Sequence, residues 1–254
     1  MSEPRTYRSW QTTDTVAFTV TYKESDLYCR AKTDLADKVA GVLATLRQRL
    51  DAYATLHPEF ARSLAPLPDD PQAPPIVQEM LATSRLAGVG PLATVAGAIA
   101  EHIGRFLAEH SSTVIVENGG DCFLQLEKPS IVPILAGSSP LSGKVGLAFD
   151  SHRMPCGLCT SSATVGHSLS LGKTDAVTIV AETATLADAV ATATANQITR
   201  PTESAAALEW AVALPGVLGA VAIIGETLAA AGEIQLTRTD VQVGEAKSKN
   251  SEES

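Results

Sequence analysis

Residues 176–196 read A-V-T-I-V-A-E-T-A-T-L-A-D-A-V-A-T-A-T-A-N, and the change of pattern inside this stretch sets the architecture. The first six residues form an apolar, β-branched run of strand length, whereas from about 186 alanine dominates and predicts a helix through 196. Alanine leaves little side chain between a helix and the surface beneath it, so helix and sheet are expected to pack closely. Within the helix, Asp188 and Thr192 stand four residues apart, which puts a carboxylate and a hydroxyl on one face, one turn from each other. Two hard oxygens so placed suit Mg²⁺; the plainer alternative is a first-turn aspartate favoured by the helix dipole.

The whole chain shares this economy of side chain. Of its 254 residues 45% are hydrophobic but only 4% aromatic, enough to fill one core built from small and aliphatic residues. We expect a single domain over 1–237 and a disordered tail over 238–254, whose polar sequence cannot bury apolar surface. A net charge of -9 without a basic cluster excludes nucleic acid as a partner. The most apolar stretch, 210–225, is interrupted by Pro215, Gly216 and Gly219 and is too short for a bilayer, so no membrane role is expected. The first residues carry neither a signal-peptide pattern nor a lipobox, which predicts a cytoplasmic protein.

Outward from the opening stretch, strands are predicted at 15–22 and 27–31, then a helix from 34 with Leu35, Val39, Val42, Leu43, Leu46 and Leu50 on one face and Thr33 or Asp34 as cap. Six prolines make 57–75 a surface loop. Helical spacing resumes over 76–85, breaks at Gly88-Val-Gly-Pro91 and returns over 92–107, where Gly97 and Ala98 suggest close approach of a backbone or ligand. Strands follow at 113–117, 122–126, 131–135 and 144–149; a helix over 203–213 and a last strand pair, 219–224 with 233–237, complete the chain. The turns between strands are too short for crossovers, so the fold class is α+β, with mixed antiparallel sheets, packed helices and an internal duplication of strand pairs and helices. The alanine- and glycine-rich helices could pack on a second copy, and a homodimer is the expected assembly.

Three motifs carry candidate chemistry. Asn118-Gly-Gly-Asp121 joins two strands; it is an ordinary hairpin signal or a loop offering N–H groups and acceptors to a ligand. Cys159-Thr-Ser-Ser-Ala-Thr-Val-Gly-His-Ser168 gathers uncharged phosphate donors and one imidazole, His167, fit to serve as acid, base or ligand or simply to pack in a loop. Cys156-Gly-Leu-Cys159 reads first as a packing or loop element, with metal and redox roles as alternatives.

Taken in order, V-E-N-G-G-D, C-T-S-S-A-T-V-G-H-S and A-V-T-I-V-A-E-T-A-T-L-A-D-A-V-A-T-A resemble the ApbE-like superfamily, whose best known members are FAD:protein FMN transferases. The similarity spans about 88–196, and it is strongest to the soluble branch in which V-G-P-x-A-x-V-A-G-A-I-A-E opens the central helix. The resemblance implies a tunnelling-fold-like architecture. It implies that Asp188 and Thr192, with the carbonyl of Ala96, hold Mg²⁺. It implies further that Asn118, Gly119, Gly120, Asp121, Thr160, Ser161 and Ser162 line a flavin nucleotide site, with His167 and Asp188 as catalytic residues. The transferases' A-K-G is here Ala96-Gly-Ala98, their T-S-G is Thr160-Ser-Ser162, and their H-x-I-D-P-x-T-G survives only as His167-Ser-Leu-Ser-Leu-Gly-Lys173. The resemblance thus implies binding of FAD or a related nucleotide pyrophosphate with Mg²⁺, and FMN transfer or FAD hydrolysis. The alternative is a non-catalytic flavin-binding module or assembly factor.

Overall fold

The computed structural model of the protein describes residues 14–161 and 174–239. Alternating burial makes an antiparallel hairpin of β1 (Val16–Tyr22) and β2 (Ser25–Ala31), in which Tyr22 faces Ser25 across a two-residue turn. The helix that follows, α1 (Ala36–Leu56), buries Val39, Leu43, Leu46 and Leu50 at the predicted spacing. Its cap is Leu35 rather than Thr33 or Asp34, although the Asp34 carboxylate accepts the N–H of Ala36, the first residue of the helix, at 2.9 Å. The proline-rich stretch contains a short helix, α2 (Pro58–Arg62), that periodicity could not show. It is anchored by Phe60, 1% exposed within the core and edge-on to the Tyr53 ring at 5.1 Å.

Helix α3 (Pro75–Ala87) ends at Gly88, whose φ of 75° supplies the left-handed cap. A 3-10 turn over Pro91–Thr94 then leads into α4 (Val95–Ala108). The remaining elements are β3 (Val114–Asn118), β4 (Asp121–Gln125), β5 (Ser130–Pro133), β6 (Val145–Phe149), β7 (Cys156–Ser161), β8 (Ala176–Ala181), α5 (Ala184–Gln197), α6 (Ser204–Val212), β9 (Val217–Ile224), β10 (Thr227–Gly232) and β11 (Gln235–Arg238).

Eight strands form one antiparallel sheet in the order β1-β2-β3-β4-β7-β8-β9-β10. Each half supplies a strand pair, helices and a second strand pair, and the halves join where β4 meets β7. The duplication read from the sequence is therefore a repeat of topology. The helices cover one face: Phe123 and Val116 pack with α1, α3 and α4, while Val177, Ile179 and Ala220 pack with α5 and α6. A three-stranded sheet, β11-β6-β5, covers the other, closing a core of Leu124, Leu147, Leu158, Val180 and Ile223.

Two strand assignments are corrected. Residues 233–237 do not pair with 219–224; β9 pairs with β10, and β11 crosses to β6. Gly219 explains the departure of the chain, since Glu233 N–H still reaches Leu218 O but Ile234 fills the space over Gly219 and the strand then leaves the sheet. β11 also includes Arg238, paired with Val145, one residue beyond the expected domain end. The second correction is β7, a strand where a loop was expected around the cysteines. Among the described residues no single helix is long and apolar enough to cross a membrane.

Candidate metal and nucleotide site

Asp121 opens β4, and Cys159 lies directly opposite it on β7. Strand alternation turns both toward the helical face, together with Phe123 and Gly157. Gly157 lets α5 sit on the sheet, since a Cβ there would lie 2.2 Å from the Ala184 nitrogen. Helix α5 starts at Ala184 behind Thr183, whose hydroxyl oxygen accepts the Leu186 N–H at 3.2 Å. Asp188 accordingly lies beyond the first turn, not at the helix start as the sequence suggested, and it points at the Asp121–Cys159 pair. Cys159 Sγ is 4.0 Å from Asp188 Oδ1, and one donor atom from each of the three residues lies within 4.8 Å of the others.

The second helix end at this corner belongs to α4. Its Gly97 N–H, one of the amides that a helix leaves unpaired at its start, donates to Asp188 Oδ2 at 2.9 Å. A side chain at Gly97 would prevent this, because a Cβ would lie 2.4 Å from Ala184 O and 2.7 Å from Asp188 Cβ. Behind the cluster Glu101, 3% exposed, accepts the Ala184 N–H at 2.7 Å and Arg105 Nε at 2.8 Å. Glu79 accepts from Thr185 Oγ1 at 2.5 Å. These bonds tie α3, α4 and α5 together and fix the carboxylate of Asp188 over the sheet.

Burial pushes Asp188 well above the usual carboxylate range, and the neighbouring Asp121 adds to it. Asp121 is pushed up to about 7 by burial, eased by its hydrogen bond with Cys159 and reinforced by Glu117. Burial likewise raises the Cys159 thiol, with Asp121 and Asp188 contributing. The charges acting on the two aspartates are thus other acids, and Asp121 Oδ1 is buried without a hydrogen-bond partner among the described residues. Oxygen donors in that condition fit a divalent cation.

The structure brings several of the predicted residues to this corner. Asn118 Nδ2 donates to Ala96 O at 3.1 Å, tying the β3–β4 turn to the start of α4. Gly119 and Gly120 make that turn with φ of 75° and 122°, and Gly119 N–H donates to Glu117 Oε1 at 2.9 Å. Gly120 O accepts the Thr160 N–H at 3.3 Å. The Thr160 hydroxyl, however, meets Thr178 Oγ1 at 3.0 Å and by alternation lies on the sheet face away from Asp188. Ser161 ends β7 half-buried, and Thr192 lies one turn past Asp188, partly exposed. Ser162 and His167 lie outside the described residues.

The C-x-x-C reading is also settled by the strand. An odd spacing along β7 sends the two sulfurs to opposite faces, so Cys156 and Cys159 cannot chelate or bridge as a pair. Cys156, 1% exposed, packs between the sheets with its sulfur 3.8 Å from Met154 Sδ. A cavity of about 500 Å³ lies on that same face, lined by Phe149, Arg153, Cys156, Val180 and Ile234 among others, and it contains none of the predicted site residues. Sequence reasoning missed the convergence of Cys159 with Asp121 and Asp188. The available signal was the apolar run C-G-L-C, which as a strand assigns Cys159 to the helical face.

An eight-stranded antiparallel sheet built from two topologically repeated halves, with helices on one face, is an ApbE-like fold. Solved structures share it: Flavin Transferase ApbE from Vibrio cholerae aligns with a TM-score of 0.59 at 9% identity, covering 86% of this chain and 97% of that one. The flavinyl transferase ApbE of Pseudomonas stutzeri aligns at 0.58 and 13% identity, covering 89% and 94%. The family model described as AbpE bacteria matches residues 8–239, and the chain belongs to this family. Its relatives include the UPF0280 protein of Methanocella arvoryzae, 39% identical over 74% of this chain and 77% of the relative. The UPF0280 protein of Methanocaldococcus jannaschii is 36% identical over 81% and 86%.

Proposed function

We propose that this protein binds a flavin nucleotide pyrophosphate, FAD in the first instance, together with a divalent cation in the corner between α4, the β3–β4 turn and α5. The observation that carries the reading is the buried Asp188 carboxylate, held by Gly97 N–H beside Asp121, in a fold shared with flavin transferases. Asp188 would hold the cation, with Thr192 and the Ala96 carbonyl as the family resemblance implies for Mg²⁺. Such an ion neutralises pyrophosphate charge. The glycine turn at Gly119 and Gly120 leaves room for a nucleotide against the backbone, and Ser161, on the same sheet face as Cys159, supplies a polar group beside it.

FAD cleavage at this site joins an acceptor oxygen to the flavin-side phosphorus as the bond to the AMP oxygen breaks. Water as acceptor gives hydrolysis, and a protein hydroxyl gives FMN transfer; His167 is assigned the acceptor's proton. Incubation with FAD and Mg²⁺ is expected to release AMP, and Asp188→Ala to lower the rate on the order of 100-fold, since even outer-shell partners of a metal cost 10–100-fold. An unchanged rate in that variant removes the cation from the mechanism. One observation favours a second reading: Ala96-Gly-Ala98 lacks the lysine of the transferases' A-K-G. FAD bound in dialysis without AMP release identifies a non-catalytic flavin-binding module.

A further inference from the structure

The corner contains a donor that an all-oxygen Mg²⁺ site does not use. Cys159 and Asp121 are direct cross-strand partners, and Asp188 meets them from α5 with all three donor atoms within 4.8 Å. Asp188 commits Oδ2 to the Gly97 N–H, leaving Oδ1 toward Cys159 Sγ at 4.0 Å. Asp121, 8% exposed, has a buried Oδ1 with no hydrogen-bond partner among the described residues.

We propose that the cation beside Asp188 also takes the Cys159 sulfur and the Asp121 carboxylate, making a thiolate–dicarboxylate site that selects Zn²⁺ or a similar borderline ion over Mg²⁺. This rests on the reading above only in placing a cation at Asp188; it changes the ligand set and the metal. Mg²⁺ demands six oxygens in a near-octahedral shell and keeps much of its water, whereas thiolate ligands select softer ions. Three protein donors with a fourth position open is the arrangement of zinc sites that bind a substrate oxygen. Tetrahedral Zn²⁺ with bonds of about 2.0–2.3 Å separates its donors by about 3.5 Å, so the cluster, with 4.0 Å between Sγ and Oδ1 and every separation within 4.8 Å, closes on the ion by about 1.3 Å at most. Binding converts the Cys159 thiol to a thiolate and releases its proton to solvent.

Co²⁺ titrated into chelator-stripped full-length protein tests this without reference to turnover. The expected result is a near-ultraviolet thiolate-to-cobalt charge-transfer band that saturates, is abolished by Zn²⁺ and resists millimolar Mg²⁺. The band should persist in Cys156→Ser, whose sulfur lies on the other sheet face, and vanish in Cys159→Ser. Cobalt binding without the band, or a band that survives in Cys159→Ser, overturns the proposal. If Cys159→Ser does not fold, X-ray absorption of the zinc-loaded wild type decides: a sulfur in the metal shell supports the site, and a shell of oxygen and nitrogen alone sinks it. FAD binding is measured on the same zinc- and magnesium-loaded samples. Sulfur ligation without FAD binding overturns the nucleotide reading and leaves the metal site standing, whereas FAD binding with Mg²⁺ and no sulfur ligation does the reverse.

Discussion

Gly97→Ala is expected to lower the melting temperature by about 5–15 °C and to weaken cation and FAD binding at least about tenfold, although it adds one methyl group. In an exposed helix the same change stabilises by about 0.5–1 kcal/mol, because alanine has less backbone freedom to lose. Here the Cβ would meet Ala184 O at 2.4 Å and Asp188 Cβ at 2.7 Å, and the first of these is backbone that no rotamer change can move. Overpacking typically costs about 1–3 kcal/mol and occasionally more, and a clash with backbone sets the cost here at the upper end of that range or above it. In a domain of this size each kcal/mol is worth about 2–4 °C. Relief comes only by parting α4 from α5, and that withdraws the Gly97 N–H from the Asp188 carboxylate. Gly41→Ala is the matched control: it lies exposed on α1 with nothing within 4 Å of its Cβ, and is expected to raise stability slightly. Equal thermal shifts for the two variants would show that α4 and α5 are not in this contact.

That glycine was legible in the sequence as a point of close approach, but what approached it was not. Periodicity gave α1, α3 and α4 because each has a buried stripe whose spacing belongs to the helix itself, and alanine content gave α5, which is buried almost all round. It could not give α2, which depends on a seat for Phe60, nor the partner of β11, which is chosen by the space over Gly219 rather than by anything in 235–238. The site divided in the same way. Asn118, Asp121 and Asp188 belong to motifs, and the fold brings them to one corner with Ala96. Cys159 was hidden by its pairing in sequence with Cys156. Two cysteines three apart invite a chelate on a loop or helix, and only the strand assignment separates them. Thr160 shows the converse error, since a hydroxyl in a promising motif turns to the opposite face once the strand's alternation is applied.

The stability of the metal-free protein is expected to fall as pH rises from 5 to 8, and Asp121→Asn to abolish most of that fall. Asp121 has an ordinary value of 3.8 in the unfolded chain and is held up to about 7 in the fold, chiefly by burial. Between those values the folded state binds more protons than the unfolded state, so the free energy of unfolding decreases with increasing pH. The contribution is fully present below about pH 4 and is lost as pH rises through 7. Asp188, raised in the same direction by burial and by Asp121, adds to the loss. A rise from 3.8 to about 7 corresponds to about 4 kcal/mol, so Asp121→Asn should stabilise the stripped protein at pH 8 by about 2–4 kcal/mol. Carboxylates held low by hydrogen bonds act oppositely but elsewhere: Glu203, kept at about 2 chiefly by Arg200, affects stability only as pH falls through the acid range. A saturating divalent cation should restore the wild type at pH 8 by about 3 kcal/mol at a hundredfold excess over its dissociation constant, and restore Asp121→Asn less. Thermal unfolding between pH 5 and 8, first in chelator and then with the cation in excess, measures each of these quantities. Stability that rises across that window would mean that Asp121 and Asp188 are ionised and compensated in the folded protein, and the cluster would then need no cation.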